Sequence, residues 1–165
     1  MGIGLALLAV LILVAVLAPY LAPFDPLTSR AADAYQAPGA RHLLGTDDVG
    51  RDVLSRVIWG SRVSLEVGVI SVTIGLLVGV SLGIAAGYWG GWLDMIVMRG
   101  IDALLAFPAT LLAIAITSAL GAQIQNAMIA IGVVNIPVFA RLARGQVLQV
   151  RSAESLIAAQ VAGCK

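Results

Sequence analysis

The stretch VSLEVGVISVTIGLLVGVSLGIAAGY, Val63 to Tyr88, decides the fold. Beyond Glu66 it carries no charge and no proline, and it exceeds the roughly 20 residues a helix needs to cross a bilayer. Ser71, Gly75, Gly79, Gly83 and Gly87 recur every four residues, so one face of this helix is almost bare backbone. Helices in lipid associate by close packing rather than by hydrophobic expulsion, and such a ladder marks where another helix lies against this one. A solute path needing close backbone approach is the sharper reading of the same face. Glu66 stands one turn from Arg62, and the two are expected to pair at the membrane boundary.

Upstream, Ile3 to Ala18 is uncharged and free of proline, and the apolar run continues to Ala22. This is a first span. A signal peptide is the rival reading, but the charged lead is missing and Pro19 follows Ala18 where cleavage would fall. From Phe24 to Arg62 the chain turns polar, with five Asp, five Arg and the breakers Pro26, Pro38 and Gly39. One amphipathic helix is expected there, capped by Thr46, with Asp47 and Asp48 in its first turn and Val49, Val53, Leu54, Val57 and Ile58 on its apolar face. Asp47 with Arg51, and Asp52 with Arg56, are the expected i,i+4 pairs.

Downstream, Trp89 to Trp92 forms a turn with interfacial aromatics, and a third span runs from Met95 to Leu120. Arg99 and Asp102 are expected to neutralise each other, and Pro108 is expected to kink the helix. A fourth span, Ala127 to Ala143, contains Asn135 and Pro137. An amide at mid-span faces protein or water, so Asn135 either lines a path or bonds a neighbouring helix. Arg141, Arg144 and Arg151 lead into a tail ending at Lys165, and this basic excess places the tail, and with four spans Met1 too, in the cytoplasm.

Composition agrees: of 165 residues 60% are hydrophobic and 12% charged, which describes an integral membrane protein. A formal charge of +1 argues against nucleic-acid binding. One Cys, Cys164, closes no intrachain disulfide, and one His, His42, makes no His-rich metal site. The pattern holds no nucleophile with a base partner, no paired metal ligands and no Walker-type loop, so neither catalysis nor a cofactor is expected. The expected architecture is an all-α polytopic bundle of about four spans. Residues 1–23 form the first transmembrane helix, 24–62 an extracytoplasmic segment with an amphipathic helix, and 63–165 three spans with a partial cytoplasmic loop.

The run from His42 through Gly45, Thr46, Asp47, Gly50, Arg51, Asp52 and Arg56, followed by Gly60-Ser-Arg62-Val-Ser64-Leu65, resembles the signature of permease subunits of dipeptide, oligopeptide and nickel ABC importers, in their dipeptide-permease C branch. Gly87-Tyr-Trp-Gly-Gly-Trp-Leu-Asp94, Asp102 to Pro108, and Ala140 to Leu148 match in the same order. The resemblance implies a bacterial-type inner-membrane subunit without an ATP site of its own. It implies pairing with a second permease, docking of two cytoplasmic ABC ATPases and substrate delivery by an extracytoplasmic solute-binding protein. Ala158, Ala159 and Gly163 fall on the family's ATPase coupling loop, with Ile157 where the family has Glu. Family members continue through two further spans, so a fragment or truncated product is expected. The other class of reading is a membrane protein that associates with a partner permease through its glycine face and transports nothing.

Overall fold

The computed structural model describes residues 2–152. Five α-helices follow one another: α1 (Gly2–Leu21), α2 (Val53–Trp89), α3 (Gly91–Leu105), α4 (Ala109–Leu120) and α5 (Ile124–Arg151), with a short 3-10 turn at Ala31–Asp33. Among the described residues there is no strand, only an isolated bridge between Thr46 and Asp52. By length and composition, α1, α2 and α5 can each cross a membrane, and α3 with α4 makes a fourth span if counted as one. The chain divides into two compact units, one ending at Val67 and the other starting at Gly68.

In the first unit α1 is apolar on every side, and its leucines and valines other than Val14 are exposed, as befits a helix facing lipid. The polar excursion then departs from the sequence expectation. No helix starts at Thr46, because residues 45–51 are occupied by tight turns. Gly45 and Gly50 have φ of +75° and +76°, and a Cβ on either would strike backbone carbonyls of Gln36 and Arg30 respectively. The Asp47 carboxylate accepts the Val49 and Arg51 amides, and this side-chain-capped turn competes successfully with a helical one. The helix starts at Val53, with its cap, Asp52, six residues beyond Thr46: Asp52 Oδ2 accepts the Ser55 amide at 2.8 Å. From there α2 runs 37 residues without a break. At 1.5 Å per residue that is about 55 Å, well beyond a hydrocarbon core of about 30 Å, so the expected amphipathic helix and second span are one element.

In the second unit α5 is the central element, packing against the glycine ladder of α2 and against α3 and α4. Ile101 of α3 is buried with Ile136 and Ala140 of α5, and Val97, Met98 and Val133 pack around them. The third span is broken rather than kinked: α3 and α4 meet at 92° across Ala106–Pro108. Proline lacks the N–H that would continue the ladder, and Pro108 takes extended backbone angles (φ −55°, ψ 131°) before α4 begins. Pro137 lies inside α5 and is fully buried.

Candidate functional site

Two places gather the polar side chains that an otherwise apolar chain must explain. The first is a knot at the start of α2. His42 Nδ1 lies 2.9 Å from Asp52 Oδ1, and because a carboxylate only accepts, this nitrogen is the donor. The other oxygen, Oδ2, accepts both the amide and the hydroxyl of Ser55 at 2.8 Å. Ser55 Oγ in turn accepts the Phe24 amide, and the Phe24 ring packs 4.8 Å from the His42 ring. His42, Asp52 and Ser55 are all buried. Burial pushes the Asp52 carboxyl up, but the Ser55 amide, His42 and the Ser55 hydroxyl together hold it below its ordinary value.

This is no nucleophile relay. Asp52 stands between the serine and the histidine and binds both, so the imidazole does not contact the hydroxyl, and among the described residues His42 Nε2 has no partner. The arrangement instead ties the end of the α1 segment, the loop and the first turn of α2 together. Among the described residues no group of acids and histidine has the makings of a metal site.

Around the knot one of the two expected ion pairs forms and the other does not. Asp47 binds Arg51 (Nε to Oδ2, 2.8 Å) and also takes the Arg56 guanidinium on Oδ2. Arg56 is therefore not the partner of Asp52, which has turned inward to His42. Thr46 is not a helix cap; its hydroxyl accepts the Gln36 amide and donates to the Asp33 carbonyl. Arg62 does not reach Glu66 and lies 6.0 Å over the Trp59 ring. Gly45, Thr46, Asp47, Gly50, Arg51, Asp52 and Arg56, spread over twelve positions of sequence, thus form one folded feature. His42 and Ser55 stand within the signature run but their contacts with Asp52 were not expected, and Phe24 lies outside it, since only the path of the loop brings these residues together.

Desolvation raises the Asp47 carboxyl, but the Arg51 amide, its guanidinium and the Val49 amide outweigh it and lower the value from 3.8 to about 2. A carboxylate depressed in the folded state adds stability above its unfolded value and loses it as pH falls through the folded one. Hydrogen-exchange protection of the Val49 and Arg51 amides is therefore expected to hold above pH 3.8 and to collapse as pH falls toward about 2. Protection unchanged across that window would exclude Asp47 as the organiser of the turn.

The second place is the α2–α5 seam and the polar end of it. A Cβ on Gly75 would lie 2.8 Å from Asn135 Cβ, one on Gly79 2.6 Å from the Ile136 carbonyl, and one on Gly87 2.9 Å from Val147 Cβ. Gly83 meets the Ala140 carbonyl even more closely. Gly132 of α5 answers with the same closeness to Ile74, and Ser71 Oγ donates to the Met128 carbonyl at 2.9 Å. Asn135 is half-buried, with its Cβ at this seam. At the far end Arg144 grips Asp94 with Nε and Nη2 at 2.5 and 2.6 Å, and Arg141 reaches Asp102 at 2.6 Å. Asp102 therefore pairs with Arg141 rather than Arg99. Ala158, Ala159 and Gly163 lie outside the described residues.

The sequence profile of the family described as "binding-protein-dependent transport system inner membrane component" matches residues 79–165, just over half of the chain. The chain belongs to that family. It is accordingly a multi-pass inner-membrane protein built as a bundle of helices. A second profile, the N-terminal transmembrane domain of oligopeptide transport permease C, matches residues 2–38. A dipeptide transport system permease protein, DppC, of Alkalihalophilus pseudofirmus is 45% identical over 99% of this chain and 54% of its own length. The DppC of Haemophilus influenzae is 41% identical over 98% of this chain and 57% of its own length. A glutathione transport system permease protein, GsiD, of Pectobacterium atrosepticum is 44% identical over 84% of this chain and 46% of its own length. The chain spans about half the length of the curated relatives it matches. From Gly79 onward the seam and its arginine end lie in the region of the first profile, with Ser71 and Gly75 ahead of it, while His42, Asp52 and Ser55 of the loop knot fall between the two profiles and Phe24 within the second.

Proposed function

We propose that this chain belongs to the permease subunit of an ABC importer for short peptides, and that it forms the substrate path together with a second permease. The observation that carries this reading is the continuous similarity, over nearly all of the chain, to permeases named for dipeptide and glutathione transport. Two cytoplasmic ATPases supply the work, since the subunit brings no ATP site of its own, and an extracytoplasmic solute-binding protein delivers the substrate. A nickel complex, the other cargo suggested by the resemblance, lacks a counterpart among these relatives' names. Residues 1–23 serve as the anchor, 24–62 as the extracytoplasmic segment and 63–165 as the permease core with its coupling loop. Asn135 is the path-lining group in this scheme.

Ala158, Ala159 and Gly163 supply the small surface on which a coupling helix packs into the ATPase, and Ile157 makes that contact apolar where the family has Glu. A helix seated in a moving partner converts nucleotide-driven closure into rocking of the spans. The reading in which Gly75 to Gly87 bind a partner permease is not favoured, because α5 already fills that face.

The test is ATP-driven uptake of a labelled dipeptide mixture by proteoliposomes holding the protein with its partner permease, ATPases and binding protein. Gly163→Trp is expected to lower uptake by about tenfold, the scale of a typical coupling free energy, while ATP hydrolysis continues. Unchanged uptake removes the coupling assignment; no uptake with the unsubstituted protein removes the importer reading.

A further inference from the structure

Three arginines of α5, Arg141, Arg144 and Arg151, fall within about 80° of one another around the helix at 100° per residue. Each is engaged with a different element or position. Arg141 and Arg144 reach Asp102 and Asp94 of α3, and Arg151 Nη1 donates to the Gly87 and Tyr88 carbonyls at 3.0 and 2.9 Å. Those two carbonyls are among the last four of α2, which have no partner within their own helix, and a cation there also opposes the negative end of the helix dipole. One face of α5 thus holds the ends of two other helices.

The strength of the three grips differs. Arg144 and Asp94 are joined by two parallel charge-assisted bonds, the geometry that fixes orientation as well as distance. The Asp102–Arg141 pair is 55% exposed on both sides and adds little by itself. Both pairs line a cleft of about 510 Å³ between α3 and α5, together with Met95, Met98 and Arg99. Along the glycine ladder α2 meets α5 in backbone contact, whereas the apolar contact of α3 with α5 centres on the small Ile101–Ile136–Ala140 cluster with Val97, Met98 and Val133 around it. The Arg144–Asp94 pair is therefore the main orienting link between α3 and α5 at this end.

We infer that Arg144, with Arg151, is a positioning residue of transport: the two clamp the ends of α3 and α2 to α5, so that displacement of the segment following Arg151 is passed into both helices rather than absorbed between them. This rests on the importer reading, in which that segment carries the ATPase contact. Because α5 is continuous from Ile124 to Arg151, a push at its end moves the whole seam, and α3 follows most faithfully while the bidentate pair holds its orientation.

The experiment uses the same proteoliposomes and reads dipeptide uptake per ATP hydrolysed, together with the amount of ATPase that co-purifies. Arg144→Gln is expected to lower uptake per ATP by about tenfold, the usual size of a coupling term, with co-purifying ATPase retained. The charge exchange Asp94→Arg with Arg144→Asp is expected to recover much of the loss, which a generally damaged fold would not do. An unchanged ratio for Arg144→Gln overturns the clamp alone. So does a loss of uptake that merely tracks loss of co-purifying ATPase. Absence of ATP-driven uptake in the unsubstituted protein overturns the importer reading, and the clamp with it.

Discussion

Replacing Gly79 and Gly83 together by leucine is expected to keep α5 from seating on α2 and to leave no folded second unit. A Cβ at Gly79 would already stand 2.6 Å from the Ile136 carbonyl and 2.8 Å from Phe139 Cβ, and one at Gly83 2.9 Å from Ala143 Cβ and closer still to the Ala140 carbonyl. The obstacles are mostly backbone, which cannot rotate away as a side-chain tip can. Overpacking a core costs about 1–3 kcal/mol per site even where side chains yield, so the pair exceeds that range and consumes most of a marginal stability of about 5–15 kcal/mol. Thermal unfolding in detergent micelles measures the effect. The control is Gly145 on α5, where a Cβ meets nothing within 4 Å. Gly145→Ala is expected to raise stability by about 0.5–1 kcal/mol through helix propensity alone. If the double leucine variant unfolds at the same temperature as the original, the seam is not the structural axis of this unit.

Replacing Asp52 by alanine is the second large effect. The carboxylate both binds the buried His42 ring and caps α2, so its loss strands the imidazole Nδ1 and the Ser55 amide and hydroxyl at once. Each buried donor left without an acceptor costs about 1–3 kcal/mol, because it stays desolvated and unpaired, and this substitution strands more than one. Asp52→Asn keeps the cap acceptor in its one amide oxygen and turns its NH2 to His42 Nδ1, which the neutral ring meets by changing tautomer, and the expected loss falls to about 1 kcal/mol, the scale of a single hydrogen bond. Hydrogen exchange of the amides of Phe24 and Ser55 localises the damage, since both depend on this knot. Equal behaviour of the Ala and Asn variants would mean that Asp52 acts only through its charge. The sign with pH follows the depressed carboxyl: the contribution of Asp52 is present above the ordinary carboxylate value of 3.8 and is lost as pH falls below it.

Particular residues show how far the sequence could be read. The helical spans, their polar interruption and the membrane class were legible because hydrophobicity and the 3.6-residue period are local properties of the chain. The four-residue spacing of Gly75 to Gly87 was legible for the same reason: small residues on one face imply a close neighbour whichever helix supplies it. The spaced signature from Gly45 to Arg56 identified the family without any knowledge of its shape.

Pairings were less legible, and the errors have one cause. Asp52 with Arg56, Arg99 with Asp102, and Arg62 with Glu66 are the partners that helical spacing offers, and in each case a different arrangement was found. Asp52 lies ahead of the helix and serves as its cap, so helical spacing does not apply to it. Asp102 found Arg141, 39 residues away, because a guanidinium on a facing helix reached it.

By itself, then, the sequence determined that this is a polytopic helical membrane protein of a permease family and which face of α2 must be covered. Only the tertiary structure decided that α5 covers it, that Asp52 rather than Thr46 starts α2, and that Arg144 holds Asp94 across 50 residues of chain. The physical reason is that periodicity and hydropathy report which side of an element avoids water, whereas a hydrogen bond or ion pair depends on the direction in which a turn sends the next element. Those directions are set here by Gly45, Gly50 and Pro108, whose backbone geometry sends the chain on courses that no local pattern of hydrophobicity records.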